Sequence, residues 1–296
     1  MKLGISTYTY NWAIGMSGYP APKHPMTATM LLERATDLGA EVVQFCNGIP
    51  LHTFSDDDLT RLRAEAESRG LVIELGTAGV EPYRLRQYIA VAQRVGATFI
   101  RTLTHSPEMD PTIEEAAGLL AEVLPDLKSS GVTIGIENHD KHTCPELIEL
   151  VKRVGDEHVG ICLDTGNNLG ALETTQMVLD ALLPYTVNVH YKDFSIARVP
   201  NQMGFEVTGA IAGQGTVDAA AVFDGVASLD REVNVILEMW HPYLGDVETS
   251  ITNEDDWARK SFSFLLQQRT TNKSYMAPKG GVTSAYDPSL NRQTHS

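Results

Sequence analysis

Four side chains that can bind a metal ion stand at the ends of four apolar runs in the second half of the chain. Glu137, Asp164 and Glu238 are carboxylates and His190 is an imidazole, and each follows a short run rich in Val and Ile. Such runs are typical of parallel strands buried on both faces, where a charge has no contact with solvent. Divalent cations favour oxygen and imidazole ligands, so the set predicts one metal site. Mn²⁺ or Mg²⁺ is favoured, and Co²⁺ or Zn²⁺ would also fit.

Each of these residues has an ordinary structural explanation when it is considered alone. A buried Asp is usually hydrogen-bonded to its surroundings, and a lone His more often belongs to a core than to a metal site. The spacing makes the set more informative, since 27 residues separate Glu137 from Asp164 and 26 separate Asp164 from His190. Both gaps match one strand–helix–strand unit, so neighbouring strands would present neighbouring ligands. A shared cation is the simplest compensation for three clustered carboxylates.

Strand-like runs alternate with helical runs eight times along the chain. The runs predicted as strands cover residues 2–6, 41–46, 72–75, 98–103, 133–137, 159–163, 187–190 and 233–238. Eight alternations predict an α/β fold, a single (β/α)8 TIM barrel with the helices outside. The rival, an open doubly wound sheet, lacks a GxGxxG motif after the first strand. We predict a barrel domain over residues 1–268 and a polar, flexible tail over residues 269–296, with long loops at 8–26 and 194–217.

The composition restricts the classes of partner. The chain has 296 residues and a net charge of −15, which is unfavourable for binding phosphate backbones or an anionic membrane surface. We therefore predict no nucleic-acid partner, which argues against a DNA-repair endonuclease on this type of barrel. The sequence has no apolar run of the roughly 20 residues that span a bilayer, no apolar signal segment and no CxxC pair among its three cysteines. These features predict a cytoplasmic protein with a small-molecule substrate and leave homo-oligomerisation open.

The four candidate ligands lie in the segments IEN, LDTGN, HYKD and ILE. As an ordered set, these segments resemble the xylose isomerase-like superfamily of TIM-barrel sugar isomerases and epimerases, most nearly its ketose 3-epimerase and hydroxypyruvate isomerase branches. The resemblance covers about residues 1–266. It implies that Glu137, Asp164, His190 and Glu238 hold the metal, and that Glu137 and Glu238 are also the catalytic acid–base pair. The implied reaction is isomerisation or epimerisation of a small ketose or sugar acid through a metal-stabilised enediolate.

Two positions depart from the pattern of the epimerases. Asn167 stands three residues after Asp164, where those enzymes usually carry His. Ile196 stands six residues after His190, where they often carry Arg, and the nearest arginine is Arg198. These differences keep a second reaction open, the metal-dependent loss of CO2 from a branched 3-oxo sugar acid, because decarboxylation reaches the same type of enediolate without a C–H base. A non-catalytic sugar-binding protein is the remaining alternative.

Several residues near the predicted strand ends are candidates for substrate binding. They are Tyr8, Trp12, Asn167, His139, Lys192 and Arg198. Tyr8 and Trp12 could cover the apolar face of a sugar, although aromatic residues in such loops often serve packing alone. Arg198 could bind a substrate carboxylate through two hydrogen bonds or could be a solvated loop residue. For Glu74 and Arg101, on the third and fourth strands, we favour an internal ion pair over contacts with the substrate.

Overall fold

Eight parallel strands close into a barrel in the computed structural model, which describes residues 1–276. The strands are β1 (Leu3–Ser6), β2 (Val42–Phe45), β3 (Val72–Gly76), β4 (Phe99–Thr102), β5 (Thr133–Glu137), β6 (Val159–Asp164), β7 (Thr186–Tyr191), β8 (Asp193–Arg198), β9 (Phe205–Ala210) and β10 (Asn234–Leu237). Around the barrel the order is β1–β10–β7–β6–β5–β4–β3–β2, and β8 and β9 form a separate hairpin. The predicted (β/α)8 barrel is confirmed, and each predicted run overlaps one barrel strand.

Helices occupy the connections between the strands. They are α1 (Asn11–Ile14), α2 (Ala28–Leu38), α3 (Asp56–Ser68), α4 (Pro82–Val95), α5 (Ile113–Ser130), α6 (Cys144–Val154), α7 (Thr175–Leu182), α8 (Ala219–Ala227) and α9 (Val247–Met276). Capping explains several of their ends. The side chain of Thr27 caps α2, and Thr112 forms a capping box with Glu115 at the start of α5. Gly39 ends α2 in the left-handed conformation, with φ of 74°.

The barrel strands have almost no solvent-exposed face. Every residue of β1, β2, β4 and β6 is buried. Polar side chains on these strands must therefore find their partners inside the barrel or at its carboxyl end. The few polar residues on these strands therefore mark the places where hydrogen bonds or ion pairs form inside the barrel.

The connection after β7 contains an antiparallel hairpin where the sequence pattern predicts only a loop. β8 follows β7 after one intervening residue, Lys192, and pairs with β9 so that Ile196 lies opposite Val207. The prediction of a loop over 194–217 is therefore wrong for the two strands of this hairpin. The sequence pattern does not reveal these strands, because Ile196 and Val207 are both about half exposed and the hairpin buries no regular apolar stripe.

Asp193, at the base of the hairpin, ties the two ends of this connection together. Its carboxylate accepts hydrogen bonds from the backbone N–H groups of Gly213, Gly215 and Val217 at 2.9, 3.0 and 3.1 Å. Gly215 has no room for a side chain, since a Cβ there would lie 2.2 Å from Oδ1 of Asp193. The hairpin is thus anchored next to Lys192 by a charged group that is almost completely buried.

The last helix extends beyond the predicted end of the barrel domain. α9 continues to Met276, and Arg269 within it forms an ion pair with Glu41. The predicted boundary at residue 268 falls inside this helix, and the rest of the predicted tail, residues 277–296, lies outside the described residues. Within residues 1–276, no helix combines the length and the apolar character that crossing a membrane requires.

A buried carboxylate of α9 holds the loop that follows β1. Glu254 is 1% exposed and accepts hydrogen bonds from the backbone N–H groups of Trp12 at 2.9 Å and Ala13 at 3.0 Å. Burial raises the pKa of Glu254 to about 8, although these N–H donors favour its ionised form. The contact fixes the start of α1 and therefore the loop that begins at Tyr8.

Replacing Glu254 by Gln should change how stability depends on pH. The folded-state pKa of about 8 exceeds the ordinary value of 4.5, so the folded protein keeps a proton in a range where the unfolded chain has lost it. As the pH rises through this range, the wild type should lose about 1.4 kcal/mol of unfolding free energy per pH unit relative to Glu254→Gln. Urea denaturation from about pH 5 to about pH 9 measures the difference. Glu248→Gln, exposed on the same helix, should follow the wild type, and parallel curves for wild type and Glu254→Gln would contradict the prediction.

Candidate metal centre and active-site cavity

The four candidate ligands meet at the carboxyl ends of four adjacent barrel strands. Glu137 and Asp164 are the last residues of β5 and β6, His190 lies in β7, and Glu238 directly follows β10. One ligand atom from each lies within 4.8 Å of the others, and all four residues are buried. Opposite ligands of an octahedral Mg²⁺ are about 4.2 Å apart. A small contraction of the cluster would therefore be enough to enclose a divalent cation.

Hydrogen bonds deeper in the barrel determine which nitrogen of His190 faces the cluster. Nε2 of His190 lies 2.8 Å from Oε1 of Gln44, whose own Nε2 donates to Glu74 at 3.1 Å. Because an amide oxygen only accepts, Nε2 of His190 carries the hydrogen and Nδ1 presents its lone pair. Nδ1 is buried without a hydrogen bond, 3.2 Å from Glu238 and 3.5 Å from Glu137. The donor set and this orphaned nitrogen fit a metal ion.

Two side-chain cations balance part of the negative charge. Nζ of Lys192 lies 2.8 Å from Asp164 and 3.0 Å from Glu238, and the guanidinium of Arg101 donates to Glu137. Three carboxylates and two cations leave one net negative charge. A divalent ion at the cluster would turn this into one net positive charge, and the sign of the site would then favour an anionic ligand.

The cations keep the two glutamates ionised. Burial alone would raise the pKa of both groups, but Arg101 and His190 outweigh it at Glu137, whose pKa lies well below its usual range. His190 and Lys192 lower the pKa of Glu238 in the same way. Burial would lower the pKa of His190, but the two glutamates overcome it and raise that pKa. A proton and a metal ion therefore compete for Nδ1 of His190.

Asp164 is positioned by its own loop and by an asparagine on the neighbouring strand end. Oδ1 of Asp164 accepts hydrogen bonds from the backbone N–H groups of Gly166 and Asn167, both at 2.8 Å. The side chain of Asn138 binds the main-chain N–H of Asp164 at 2.7 Å and its carbonyl oxygen at 2.9 Å. Burial raises the pKa of Asp164 despite the ion pair with Lys192. Oδ1 is thus fixed by the backbone, while Oδ2 faces the cluster.

A cavity of about 210 Å³ adjoins the cluster. Its lining residues are Tyr8, Asn11, Arg101, Leu103, Glu137, His139, Asn167, Lys192, Glu238, Met239 and Trp240. The set includes both predicted catalytic glutamates and four of the predicted substrate-binding residues. This volume suits one small sugar or sugar acid rather than an oligosaccharide.

The two other predicted substrate-binding residues lie away from this lining. Trp12 is 3% exposed and packs edge-on against Tyr19, with ring centroids 4.8 Å apart. Arg198, on the exposed part of β8, donates to the carbonyl oxygen of Gln202 at 2.9 Å and stacks on Phe205 at 4.7 Å. Their contact with a substrate stays a prediction.

Among the residues that line the cavity, Arg101 has a different ion-pair partner from the one predicted. The predicted ion pair between Arg101 and Glu74 is wrong, because Arg101 binds Glu137 instead. Glu74 accepts hydrogen bonds from amide groups, including those of Asn188 at 3.0 Å and Asn234 at 2.7 Å. A charged residue inside the apolar run FIRT was the available signal for a role at the cavity. Neither Asn11, the first residue of α1, nor Trp240, in the loop after β10, carries a comparable signal in the sequence.

Comparisons with known proteins agree with this architecture. A family model described as the xylose isomerase-like TIM barrel matches residues 32–268. The 3-oxo-isoapionate decarboxylase of Pectobacterium atrosepticum is 32% identical over 265 residues, covering 90% of this chain and 95% of the relative. The D-psicose 3-epimerase of Clostridium cellulolyticum H10 superimposes with a TM-score of 0.70 at 15% identity, over 91% of this chain and 99% of its own. A xylose isomerase-like protein of Mycobacterium smegmatis in complex with magnesium gives 0.64 at 15% identity, over 89% and 97%.

Replacing Gln44 by Leu should weaken metal binding. Leu cannot accept the Nε2 hydrogen of His190, so the ring would lose the partner that orients Nδ1. Loss of such a partner typically lowers metal affinity by a factor of about 10 to 100. Calorimetric titration of metal-depleted protein with Mn²⁺ measures the change. Gln93→Leu, at an exposed position on α4, should bind like the wild type, whereas unchanged affinity in a folded Gln44→Leu protein would refute this role of Gln44.

Proposed function

Because the chain belongs to the xylose isomerase-like TIM barrel family, we propose that it is a divalent-metal-dependent enzyme that removes CO2 from a small 3-oxo sugar acid. The 32% identity to the 3-oxo-isoapionate decarboxylase, which extends along 90% of this chain, supports this reaction. The solved epimerase structures are only about half as similar in sequence, and at that distance a common fold does not imply a common reaction.

The proposal rests on the hydrogen bonds and ion pairs of the two candidate bases, Glu137 and Glu238. Glu137 accepts hydrogen bonds at both oxygens, from Arg101 and, at 2.7 Å, from Asn167. Glu238 is bound at both oxygens as well, by Ser6 at 3.1 Å and Lys192 at 3.0 Å. An epimerase needs one group to take a proton from carbon and another to return one. Carboxylates held ionised by cations are weak bases, whereas decarboxylation needs no base to break a C–H bond.

Decarboxylation has requirements that these residues meet. When CO2 leaves a 3-oxo acid, the electron pair of the broken C–C bond moves toward the neighbouring carbonyl oxygen, and the enolate that forms then takes up a proton, ultimately from solvent, on the carbon that lost CO2. A divalent ion held by Glu137, Asp164, His190 and Glu238 would supply the Lewis acid that stabilises this charge. Mn²⁺ or Mg²⁺ is our preferred identity, supported by the oxygen-rich donor set and by the magnesium in the Mycobacterium smegmatis neighbour.

The remaining lining residues would bind and orient the substrate. Asn167 is held between Glu137 and Lys192, so its amide occupies a fixed position at the cavity wall. Tyr8 offers a phenol whose pKa is raised by burial, so it stays a hydrogen-bond donor over the physiological pH range. His139, partly exposed at the rim, would contact the distal part of the molecule.

A sugar isomerase or epimerase is the second candidate. It is favoured by the placement of Glu137 and Glu238, which both line the cavity and lie within 3.5 Å of His190 Nδ1. This reaction would require the cations to release at least one of the two carboxylates when the substrate binds. The two functions differ in one observable, since epimerisation exchanges a carbon-bound hydrogen with solvent and releases no CO2.

Metal-loaded protein should release CO2 from 3-oxo-isoapionate, and chelation of the metal should abolish the release. Readdition of Mn²⁺ should restore it, because the ligands are preformed in the fold. Glu238→Gln should lower kcat/KM by roughly 100-fold or more, since it removes both a ligand charge and a partner of Lys192. Bicarbonate formation followed by ¹³C NMR measures all three. Glu248→Gln, an exposed change on α9, is the matched control and should retain full activity.

The competing reaction is tested in the same preparation. Ketoses of five and six carbons incubated in D2O should show no incorporation of deuterium at C3 or at C1. Incorporation without CO2 release from any sugar acid would overturn the decarboxylase assignment in favour of the second candidate.

A further inference from the structure

Arg101 is a cation of the cavity whose guanidinium has one edge without a hydrogen-bond partner. Its Nε atom donates to Glu137, and Nη1 donates to the carbonyl oxygen of Thr77 at 2.8 Å. Nη2 makes no hydrogen bond with any described residue. It is also absent from the set of unpaired atoms that are sealed from solvent, so it remains accessible. Because Arg101 lines the cavity, the Nη2 edge of the guanidinium is available to a ligand there.

Lys192, the second cation of the cavity, is engaged by the cluster itself. Nζ of Lys192 lies 2.8 Å from Asp164 and 3.0 Å from Glu238, and it donates a hydrogen bond to Asn167 at 3.3 Å. A substrate carboxylate would have to compete with both of these carboxylates for the ammonium group. We therefore assign the direct, charge-assisted bond to the substrate to Arg101.

The guanidinium of Arg101 is also preorganised. Thr77 holds one nitrogen, Glu137 holds another, and the ring of Tyr8 lies 5.9 Å from the central carbon in a cation–π arrangement. The side chain is 5% exposed. A planar donor group fixed in this way loses little conformational entropy on binding, which is the condition under which Arg discriminates carboxylates from neutral groups.

We propose that Arg101 is the specificity-determining residue of this cavity and that its Nη2 edge binds the carboxylate of the substrate. In this arrangement Arg101 selects sugar acids over neutral sugars of the same length. The identification of the bound group as the carboxylate that is lost rests on the proposed decarboxylation, but the preference for an anion does not.

Binding of two matched unreactive ligands tests the proposal without turnover. Ribonate and ribitol have the same five carbons and differ at one end, where ribonate has a carboxylate and ribitol a hydroxymethyl group. Calorimetry with Mn²⁺-loaded wild type should show tighter binding of ribonate. Arg101→Gln should weaken ribonate binding by about 10-fold or more, the usual effect of one charge-assisted hydrogen bond, and should change ribitol binding by less than about 3-fold.

Two further variants keep the result interpretable. Arg101→Lys retains the charge without the planar fork, so it should lie between wild type and Arg101→Gln and serves as the test if the Gln variant does not fold. Arg94→Gln, exposed on α4, should bind both ligands like the wild type. Equal loss of ribonate and ribitol affinity, or no preference for ribonate in the wild type, would overturn the proposal. Ribonate selectivity that depends on Arg101 in a protein that releases no CO2 would leave this inference standing and refute the decarboxylase function alone.

Discussion

Three carboxylates buried side by side at the mouth of the barrel repel one another, and the balance of their charge governs the rest of the site. In a protein interior an uncompensated carboxylate costs several kcal/mol, about enough to offset much of the stability of a domain. Arg101 and Lys192 supply part of the compensation. The remaining negative charge and the unpaired Nδ1 of His190 are what a divalent ion would satisfy. Gln44 and Asn138 add no charge and instead fix the orientation of the groups that carry it.

Strand periodicity explains how one short segment, residues 190–193, supplies several of the charged and metal-binding groups near the site. Alternate residues of a strand point to opposite sides, and His190 and Lys192, two residues apart, both reach the cluster. Asp193, the next residue, turns outward into the backbone N–H groups of Gly213 and Val217. A candidate ligand, an internal cation and the anchor of the hairpin thus lie within four residues. The anchor of the hairpin and the residue whose ammonium group lies at the cavity are thus joined by a single peptide unit.

The convergence of Glu137, Asp164, His190 and Glu238 could be predicted from sequence because carboxyl ends of parallel strands meet whatever the exact register. The partner of Arg101 could not, since it depends on register. β3 and β4 align Gly76 with Arg101, which puts Glu74 two residues deeper in the barrel. β5 aligns Gly135 with Arg101, which puts Glu137 two residues closer to the carboxyl end, where the guanidinium extends. An apolar run specifies a buried strand, but it carries too little pattern to specify its alignment with the next one.

The same limit applies to the choice between reactions, which the ligand set alone does not make. The four candidate ligands would serve proton transfer and decarboxylation equally well, because both develop negative charge on an oxygen next to the metal site. The difference lies in the surrounding cations. Where Arg101 and Lys192 keep Glu137 and Glu238 ionised, the carboxylates lose basicity, and a divalent ion would then give the site a net positive charge. Under the proposed decarboxylation, such a site would exchange the ability to remove a proton from a neutral sugar for affinity toward an anion. Asn167 favours the same outcome, because a neutral amide can fix Glu137 but cannot carry a proton between substrate and solvent.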